Sequence, residues 1–163
     1  LSISLENLCL ILKGFAMGML EGKVALVTGA GGGLGRAHAM LLAREGASVV
    51  VNDLGGARDG TGSSNTMAQN VVEEIKAEGG QSIANYGSVT NKDDAIAMVE
   101  ATVSAFGKID ILIANAGILR DKSFKNMDDE MWDVVMDVHL RGTYLSTKAA
   151  YDKMLEQGSG GRI

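Results

Sequence analysis

Short runs of mostly apolar residues alternate along the chain with longer stretches in which apolar side chains recur at helical spacing. The short runs are four to six residues long, which is the length of a buried strand. We predict strands at 24–27, 48–52, 82–86 and 109–114. Because a helical stretch follows each strand, the strands should be parallel and their crossovers right-handed. The pattern therefore predicts an α/β fold, a doubly wound parallel sheet with helices on both faces.

The helical stretches end at glycines and carry apolar faces. They end at Gly46, at Gly79 after a helix from about 64 to 78, at Gly107, and at Gly158 after a long helix from about 127. The predicted apolar faces are Leu34, Leu41 and Leu42; Ala68, Val71, Val72 and Ile75; Ile96, Val99, Val103 and Phe106; and Trp132, Val135, Met136 and His139. Arg162 and Ile163 look like the start of a fifth strand. We therefore expect a fold truncated after its fourth strand and the following helix.

The N-terminal segment does not fit this pattern. It is apolar, but Glu6 and Lys13 interrupt it, so no uncharged run reaches the length of a bilayer span. It also lacks the positively charged start and the cleavage site of a secretory signal. We interpret residues 1–20 as an extension outside the fold, with the native start at Met17 or Met19 and a short amphipathic anchor as the alternative. Residues 21–163 would then form one domain, incomplete at its C-terminus.

Composition excludes several classes of partner. The net charge of −5 and the pI of about 5.0 argue against nucleic acid and against an anionic membrane. The single cysteine, Cys9, permits no internal disulfide, which is compatible with a reducing compartment. With two histidines and no Cys/His cluster, we expect no metal site.

The turn after the first strand carries the strongest chemical signal. The strand stops at Thr28, and the next seven residues contain Gly29, Gly31, Gly32, Gly33 and Gly35. A strand, a glycine turn and a helix together present backbone N–H groups and the positive end of the helix to a phosphate. Glycine is required because a Cβ would hold a pyrophosphate away from the backbone. A glycine-rich surface loop is the alternative, but this placement favours nucleotide binding.

Asp53 follows the second strand, 18 residues after Gly35. A carboxylate at this position can accept hydrogen bonds from the hydroxyls of an adenosine ribose. It would repel a 2′-phosphate by about 3 kcal/mol per unit charge at roughly 5 Å and an effective dielectric of about 20. The sequence therefore predicts NAD rather than NADP, and a solvated turn aspartate is the alternative.

Two motifs resemble those of the short-chain dehydrogenase/reductase family, whose nucleotide-binding domain is a Rossmann-type three-layer sandwich. They are Thr28-Gly29-x-x-x-Gly33-x-Gly35 and Asn115-Ala116-Gly117, and the resemblance covers residues 22–163. Longer runs, such as 51–56, 116–124 and 138–142, are similar to the (3R)-hydroxyacyl-CoA dehydrogenase modules of peroxisomal multifunctional enzymes type 2 and their free-standing bacterial relatives.

The resemblance implies a set of cofactor-binding residues. They are Gly29, Gly33, Leu34 and Gly35 at the pyrophosphate, Asp53 at the adenosine ribose, Ser88 and Val89 at the adenine, and Asn115 and Gly117 beneath the ribose and nicotinamide. Many relatives have Asp where Ser88 stands. Asp110 would support the adenine pocket or close the turn into the fourth strand.

The family transfers a hydride between a secondary alcohol and the nicotinamide, using a serine and a Tyr-x-x-x-Lys pair. Both follow the fifth strand in relatives, so we assign no catalytic residue in this chain. Tyr144 and Lys148 fit the spacing, but Met131 stands where the serine is expected, and we interpret the pair as helix packing. His139 replaces an asparagine that relays the proton in many members; we favour the alternative of a packed core histidine.

The resemblance thus implies an NAD-dependent oxidoreductase that oxidises a secondary alcohol, in particular a 3-hydroxyacyl-CoA, to the ketone. We expect residues 1–163 by themselves to be inactive. A non-catalytic NAD-binding or interaction module is the alternative function. The expected partner is a small-molecule substrate, with no nucleic acid and no membrane. A homo-oligomer is also implied, because the helix 127–157 resembles a segment that packs subunits together. We expect a cytoplasmic location, with the peroxisome as the alternative.

Overall fold

The fold is an open parallel sheet between two layers of helices. The computed structural model describes residues 18–57 and 59–163, so most of the predicted N-terminal extension lies outside the described residues. The strands are β1 (Val24–Thr28), β2 (Ser48–Asn52), β3 (Ser82–Asn85) and β4 (Ile111–Ile113). The α-helices are α1 (Gly33–Arg44), α2 (Thr66–Ala77), α3 (Lys92–Phe106), α4 (Asp129–Met136) and α5 (Gly142–Gln157).

The four strands lie in the order β3-β2-β1-β4, and all neighbouring pairs are parallel. Arg162 continues the sheet beyond β4, because its N–H donates to the Asp110 carbonyl and its carbonyl accepts from Leu112, both at 2.9 Å. The doubly wound parallel sheet is therefore confirmed. Arg162 also stands where a fifth strand was predicted to begin.

Successive side chains of the central strands enter opposite cores, as the two-residue period of a strand requires. Leu26 and Val50 pack with α3 and α5, whereas Val27, Val49 and Val51 pack with α1 and α2. This two-sided burial explains why β1 and β2 read as continuous apolar runs rather than as alternating ones. The predicted apolar face of α2 is confirmed, because Ala68, Val71, Val72 and Ile75 are all buried.

The predicted apolar face of α1 is wrong for two of its three leucines. Leu34 and Leu41 are exposed, whereas Gly35, Ala39 and Met40 face the sheet. The cause is close packing: a Cβ at Gly35 would lie 2.1 Å from the Gly29 carbonyl oxygen, so only small residues fit where the helix begins. In α3, Ile96 is likewise exposed.

Strand β4 is shorter than the predicted range 109–114. The backbone of Ile109 is bound by a side chain instead of a strand: its N–H donates to Gln157 Oε1 and its carbonyl accepts from Gln157 Nε2, both at 2.9 Å. The Gln157 amide at the end of α5 therefore takes the place of a neighbouring strand.

The long predicted helix is divided into segments. A 3₁₀ turn, Phe124–Asn126, precedes α4, and a π-helical turn, Asp137–Arg141, joins α4 to α5. The apolar face predicted for the long helix is largely exposed to solvent, and Trp132 and His139 are among its exposed residues. The interpretation of His139 as a packed core residue is therefore wrong.

Candidate functional site

The candidate site lies where β1, β2 and β4 end beside the first turn of α1. In open parallel sheets, ligands bind outside the carboxyl ends of the strands where the strand order reverses. Here the reversal falls between β1 and β4, since the chain moves outward from β1 to β3 and then returns to the other side. The glycine turn 29–35 and the segment 115–117 emerge at this point.

Thr28 and Asn115 join the two halves of the sheet at this edge. Thr28 Oγ1 accepts hydrogen bonds from the backbone N–H groups of Asn115 and Ala116, both at 3.1 Å. Asn115 Nδ2 donates in return to the carbonyls of Thr28 at 3.0 Å and Gly29 at 3.1 Å. These contacts fix the glycine turn against the loop that follows β4. The resemblance marked Asn115 as a contact beneath the cofactor, and the structure adds this structural role; Thr28 was not among the predicted site residues.

The glycine turn leaves no room for side chains on its inner side. Gly29 has φ +64°, and a Cβ there would lie 2.8 Å from Ala116 Cα. Gly31 is equally confined, because a Cβ would lie 2.7 Å from the Asp53 Cγ. Gly33, with φ +52°, faces open space instead. Glycines therefore permit both the tight turn and a close approach of a ligand to the backbone.

The first turn of α1 has the features of an anion site. Its N-cap, Gly32, offers no side-chain hydrogen bond, and the first turn contains no acidic residue. The backbone N–H groups of Gly33, Leu34 and Gly35 have no acceptor among the described residues. Such N–H groups, together with the positive end of the helix dipole, favour the binding of a phosphate. Leu34 itself is 74% exposed at the start of this helix.

Asp53 faces the glycine turn from the end of β2. Its Oδ2 accepts the N–H of Gly31 at 2.8 Å and its Oδ1 accepts the N–H of Gly55 at 2.6 Å. These bonds fix the carboxylate beside the helix N-terminus, and each oxygen retains a further lone pair for a ligand hydroxyl. The carboxylate is thus held by two backbone donors, one from the glycine turn and one from its own turn.

Ser88 and Val89 lie after β3, at the outer side of the same edge. The N–H of Ser88 donates to Asp94 Oδ2 at 2.9 Å, and Ser88 Oγ lies 2.9 Å from Thr90 Oγ1. The Val89 side chain is buried with the core beside α5, where a Cβ at Gly142 would lie 2.8 Å from Val89 Cγ2. A ligand can therefore meet Val89 only through its backbone.

His139 reaches the site from the π-helical turn. Its Nε2 lies 3.0 Å from the backbone nitrogen of Ile118 and 2.8 Å from the Ile118 carbonyl oxygen. A Cβ at Gly117 would lie 2.7 Å from His139 Cε1, so the glycine admits the ring. The imidazole thus contacts the Gly117–Ile118 segment, a contact that no sequence pattern predicted.

Asp110 lies at the opposite end of the strands from this site. Its Oδ2 accepts the N–H of Val24 at 2.9 Å, and Lys108 pairs with the same carboxylate at 3.0 Å. It closes the entry into β4, and a role in an adenine pocket is excluded by its position.

The sequence profile of the short chain dehydrogenase family matches residues 23–163. The chain belongs to the short-chain dehydrogenase family. Its members are oxidoreductases that act on small molecules and typically bind NAD or NADP. The glycine turn, the helix N-terminus and Asp53 form a cradle with the chemistry that such a dinucleotide requires.

Curated relatives within this family match most of the chain. A short-chain type dehydrogenase/reductase of Mycobacterium tuberculosis is 51% identical over 141 residues, which are 86% of this chain and 49% of the relative. Peroxisomal multifunctional enzyme type 2 of Mus musculus is 49% identical over 140 residues, 86% of this chain and 19% of that protein. The chain thus spans about half the length of the first relative.

A solved structure agrees with the fold. The crystal structure of a short chain dehydrogenase from Mycobacterium avium has a TM-score of 0.80 and 43% identity, and the match covers 90% of this chain and 52% of that one.

Tyr144 and Lys148, which have the Tyr-x-x-x-Lys spacing, both lie on α5. Both residues are exposed on α5, and the interpretation of the pair as helix packing stays a prediction. Lys148 Nζ donates to Asp152 Oδ1 at 2.6 Å, and this contact raises the pKa of Lys148. The contact between Lys148 and Asp152 is thus an ion pair between residues four apart on the helix surface.

Two further observations bear on the site. Within residues 18–57 and 59–163, no group of three or more His, Cys, Asp or Glu side chains is arranged to hold a metal ion. None of the described helices is both long enough and apolar enough to cross a membrane.

Proposed function

We propose that the protein containing this chain is an NAD-dependent dehydrogenase that oxidises a secondary alcohol, in particular a 3-hydroxyacyl-CoA, to the ketone. The single observation that carries the cofactor assignment is the Asp53 carboxylate, held 2.8 Å from the Gly31 N–H beside the α1 N-terminus. Similarity to peroxisomal multifunctional enzyme type 2 and to peroxisomal hydratase-dehydrogenase-epimerase of Neurospora crassa supports the substrate class.

Each part of the cradle has a defined task. The N–H groups of Gly33, Leu34 and Gly35 bind the pyrophosphate, and the Asp53 oxygens accept the adenosine ribose hydroxyls. Ser88 and the backbone of Val89 border the adenine, while Asn115 and Gly117 support the nicotinamide side. The nicotinamide ring, when bound, supplies the hydride acceptor.

The proposed preference for NAD follows from charge. A 2′-phosphate on the adenosine ribose would stand against the carboxylate that Gly31 and Gly55 hold in place. At about 5 Å and an effective dielectric of about 20, the repulsion is about 3 kcal/mol per unit charge. We expect NAD to bind at least tenfold more tightly than NADP.

Titration of the whole protein with both cofactors tests this preference. Asp53→Asn should reduce the NAD to NADP affinity ratio at least tenfold, because the amide removes the charge while keeping one of the two acceptor oxygens. Asp59→Asn is the matched control: it removes the same charge from the following loop, where Asp59 bonds only its neighbour Thr61 among the described residues. Equal affinities of the unchanged protein for NAD and NADP would contradict the proposal.

A non-catalytic NAD-binding module is the second candidate. Such a module would need only the glycine turn and the Asp53 carboxylate, which lie together at the end of the sheet. A whole protein that binds NAD but reduces none with any 3-hydroxyacyl-CoA would support this candidate over the enzyme.

We also propose a homo-oligomer in the cytoplasm or in the peroxisome. The support is a row of exposed large side chains along α4, the π-helical turn and α5, at spacings of four or seven residues: Trp132, Met136, Leu140, Tyr144, Tyr151 and Leu155. Exposed apolar patches of this kind mark protein interfaces. The peroxisomal relatives support the second location.

A further inference from the structure

A buried amide network lies beneath the outer wall of the candidate site. Asn52 is the last residue of β2 and is only 2% exposed, although the three residues before it are valines. Its Nδ2 donates both hydrogens, to Asn85 Oδ1 at 2.8 Å and to the Gly87 carbonyl at 2.9 Å. Asn85 Oδ1 also accepts the Gly87 N–H at 3.0 Å. The amide thus binds the turn after β3 to the end of β2.

The network fixes two walls of the site at once. Asp53 follows Asn52 directly, and its N–H donates to the Asn85 carbonyl at 3.0 Å. On the other side, Gly87 leads into Ser88 and Val89, which are held further by Asp94 and by the start of α5. Asn52 and Asn85 therefore lie between the residue proposed for the ribose and the segment proposed for the adenine.

A core role alone does not account for an amide at this position. A buried amide is costly unless its hydrogen bonds are made, whereas another valine would continue the apolar strand at no such cost. What the amide adds is a specific geometry: its two hydrogen bonds fix the position of the turn at Gly87 relative to Asp53.

We propose that Asn52 is a positioning residue for the adenine half of the cofactor site, acting through Asn85 and Gly87. This inference rests on the proposed NAD site. Asn52 does not contact the nucleotide; it holds the turn that leads into Ser88 and Val89 against the end of β2, beside Asp53. Neither asparagine was among the residues that the sequence marked for the site.

Two variants that each add one negative charge distinguish the positioning role of Asn52 from a general effect of added charge. Asn52→Asp places a carboxylate oxygen against the Asn85 oxygen and the Gly87 carbonyl, so both hydrogen bonds are lost and the turn is repelled. Asn70→Asp is the matched control: it adds the same charge at an exposed position of α2 that is not part of the network. Asn52→Ser is a third variant, whose short neutral side chain cannot reach both acceptors and buries no charge.

The test measures dissociation constants of the whole protein for NAD, AMP and nicotinamide mononucleotide, with thermal melts alongside. We expect Asn52→Asp and Asn52→Ser to weaken NAD and AMP at least tenfold and nicotinamide mononucleotide less than threefold. Asn70→Asp should change all three constants less than threefold. A merely structural role would lower the melting temperature and leave the AMP constant of the folded protein unchanged.

The outcomes distinguish the inference from the function on which it rests. If the unchanged protein binds no NAD, the proposed function fails. If it binds NAD, and folded Asn52→Asp or Asn52→Ser binds AMP as tightly as the unchanged protein, the positioning role is refuted. If neither Asn52 variant folds, the network is required for the fold itself, and the positioning role is refuted as well.

Discussion

Replacing Gly35 by alanine should separate the first turn of α1 from β1. A Cβ at this position would lie 2.1 Å from the Gly29 carbonyl oxygen and 2.5 Å from Asn115 Nδ2. Real Cβ contacts are not found below 3.0 Å, so the helix would have to move by roughly 1 Å. Because the nearest atom belongs to the backbone, no side-chain rotation can relieve the contact.

The cost of this change follows from overpacking. Inserting a methyl group into a closely packed region costs about 1–3 kcal/mol, and a backbone clash should reach the upper end of that range. With a urea dependence of about 1–3 kcal/mol per molar, the unfolding midpoint should fall by about 1 M or more. The same shift moves the N–H groups of the first turn, so NAD affinity should fall at least tenfold.

Gly32→Ala is the matched control for Gly35→Ala. Gly32 has an extended backbone, and the nearest atom to its added Cβ is Met67 Cε at 3.5 Å, an ordinary contact. The free energy of unfolding of this variant should stay within about 1 kcal/mol of the unchanged protein. Urea melts of equal midpoint for Gly35→Ala and Gly32→Ala would refute the reasoning that close approach selects glycine at Gly35.

Three further variants test separate contacts. Asn115→Ala removes the donor to the Thr28 and Gly29 carbonyls and should lower the free energy of unfolding by about 1–3 kcal/mol, as urea melts would show; an unchanged midpoint would contradict the bridging role. Glu78→Gln should lower the free energy of unfolding at neutral pH and leave it unchanged in strong acid. Arg44 lowers the pKa of Glu78, so the pair stabilises the fold fully above the carboxyl's unfolded pKa, and this stabilisation is lost as the pH falls through the lowered pKa. Curves of stability against pH that run parallel in acid for the two proteins would contradict this. Tyr144→Phe should leave any hydride transfer by the whole protein unchanged, because Tyr144 is exposed and Lys148 pairs with Asp152; a lost turnover would show that Tyr144 is catalytic.

The local pattern was sufficient to predict the strands and the face of α2. Valines and leucines in β1 and β2 pack on both sides of the sheet, so a continuous apolar run identified them. The faces of α1 and α3 could not be predicted equally well, because how closely a helix approaches the sheet decides which residues are buried. At α1 the approach is so close that Gly35 and Ala39 are buried and Leu34 is not.

The contacts of the site between residues far apart in the sequence could not be predicted from local patterns. Thr28 and Asn115 are 87 residues apart, and Asn52 and Asn85 are 33 apart, so neither pair leaves a periodic signal. The π-helical turn that carries His139 to Ile118 interrupts an otherwise regular helical pattern. Such turns have no simple sequence signature, and they occur frequently at functional sites.

The preference for NAD and the oxidation of a hydroxyacyl thioester are tested together by one measurement. The whole protein is mixed with a 3-hydroxyacyl-CoA and either NAD or NADP, and reduction of the nicotinamide is followed by its absorbance. We predict reduction of NAD, with NADP at least tenfold slower at equal subsaturating concentrations, and loss of this selectivity in Asp53→Asn. No reduction of either cofactor, or equal reduction of both by the unchanged protein, would contradict the account.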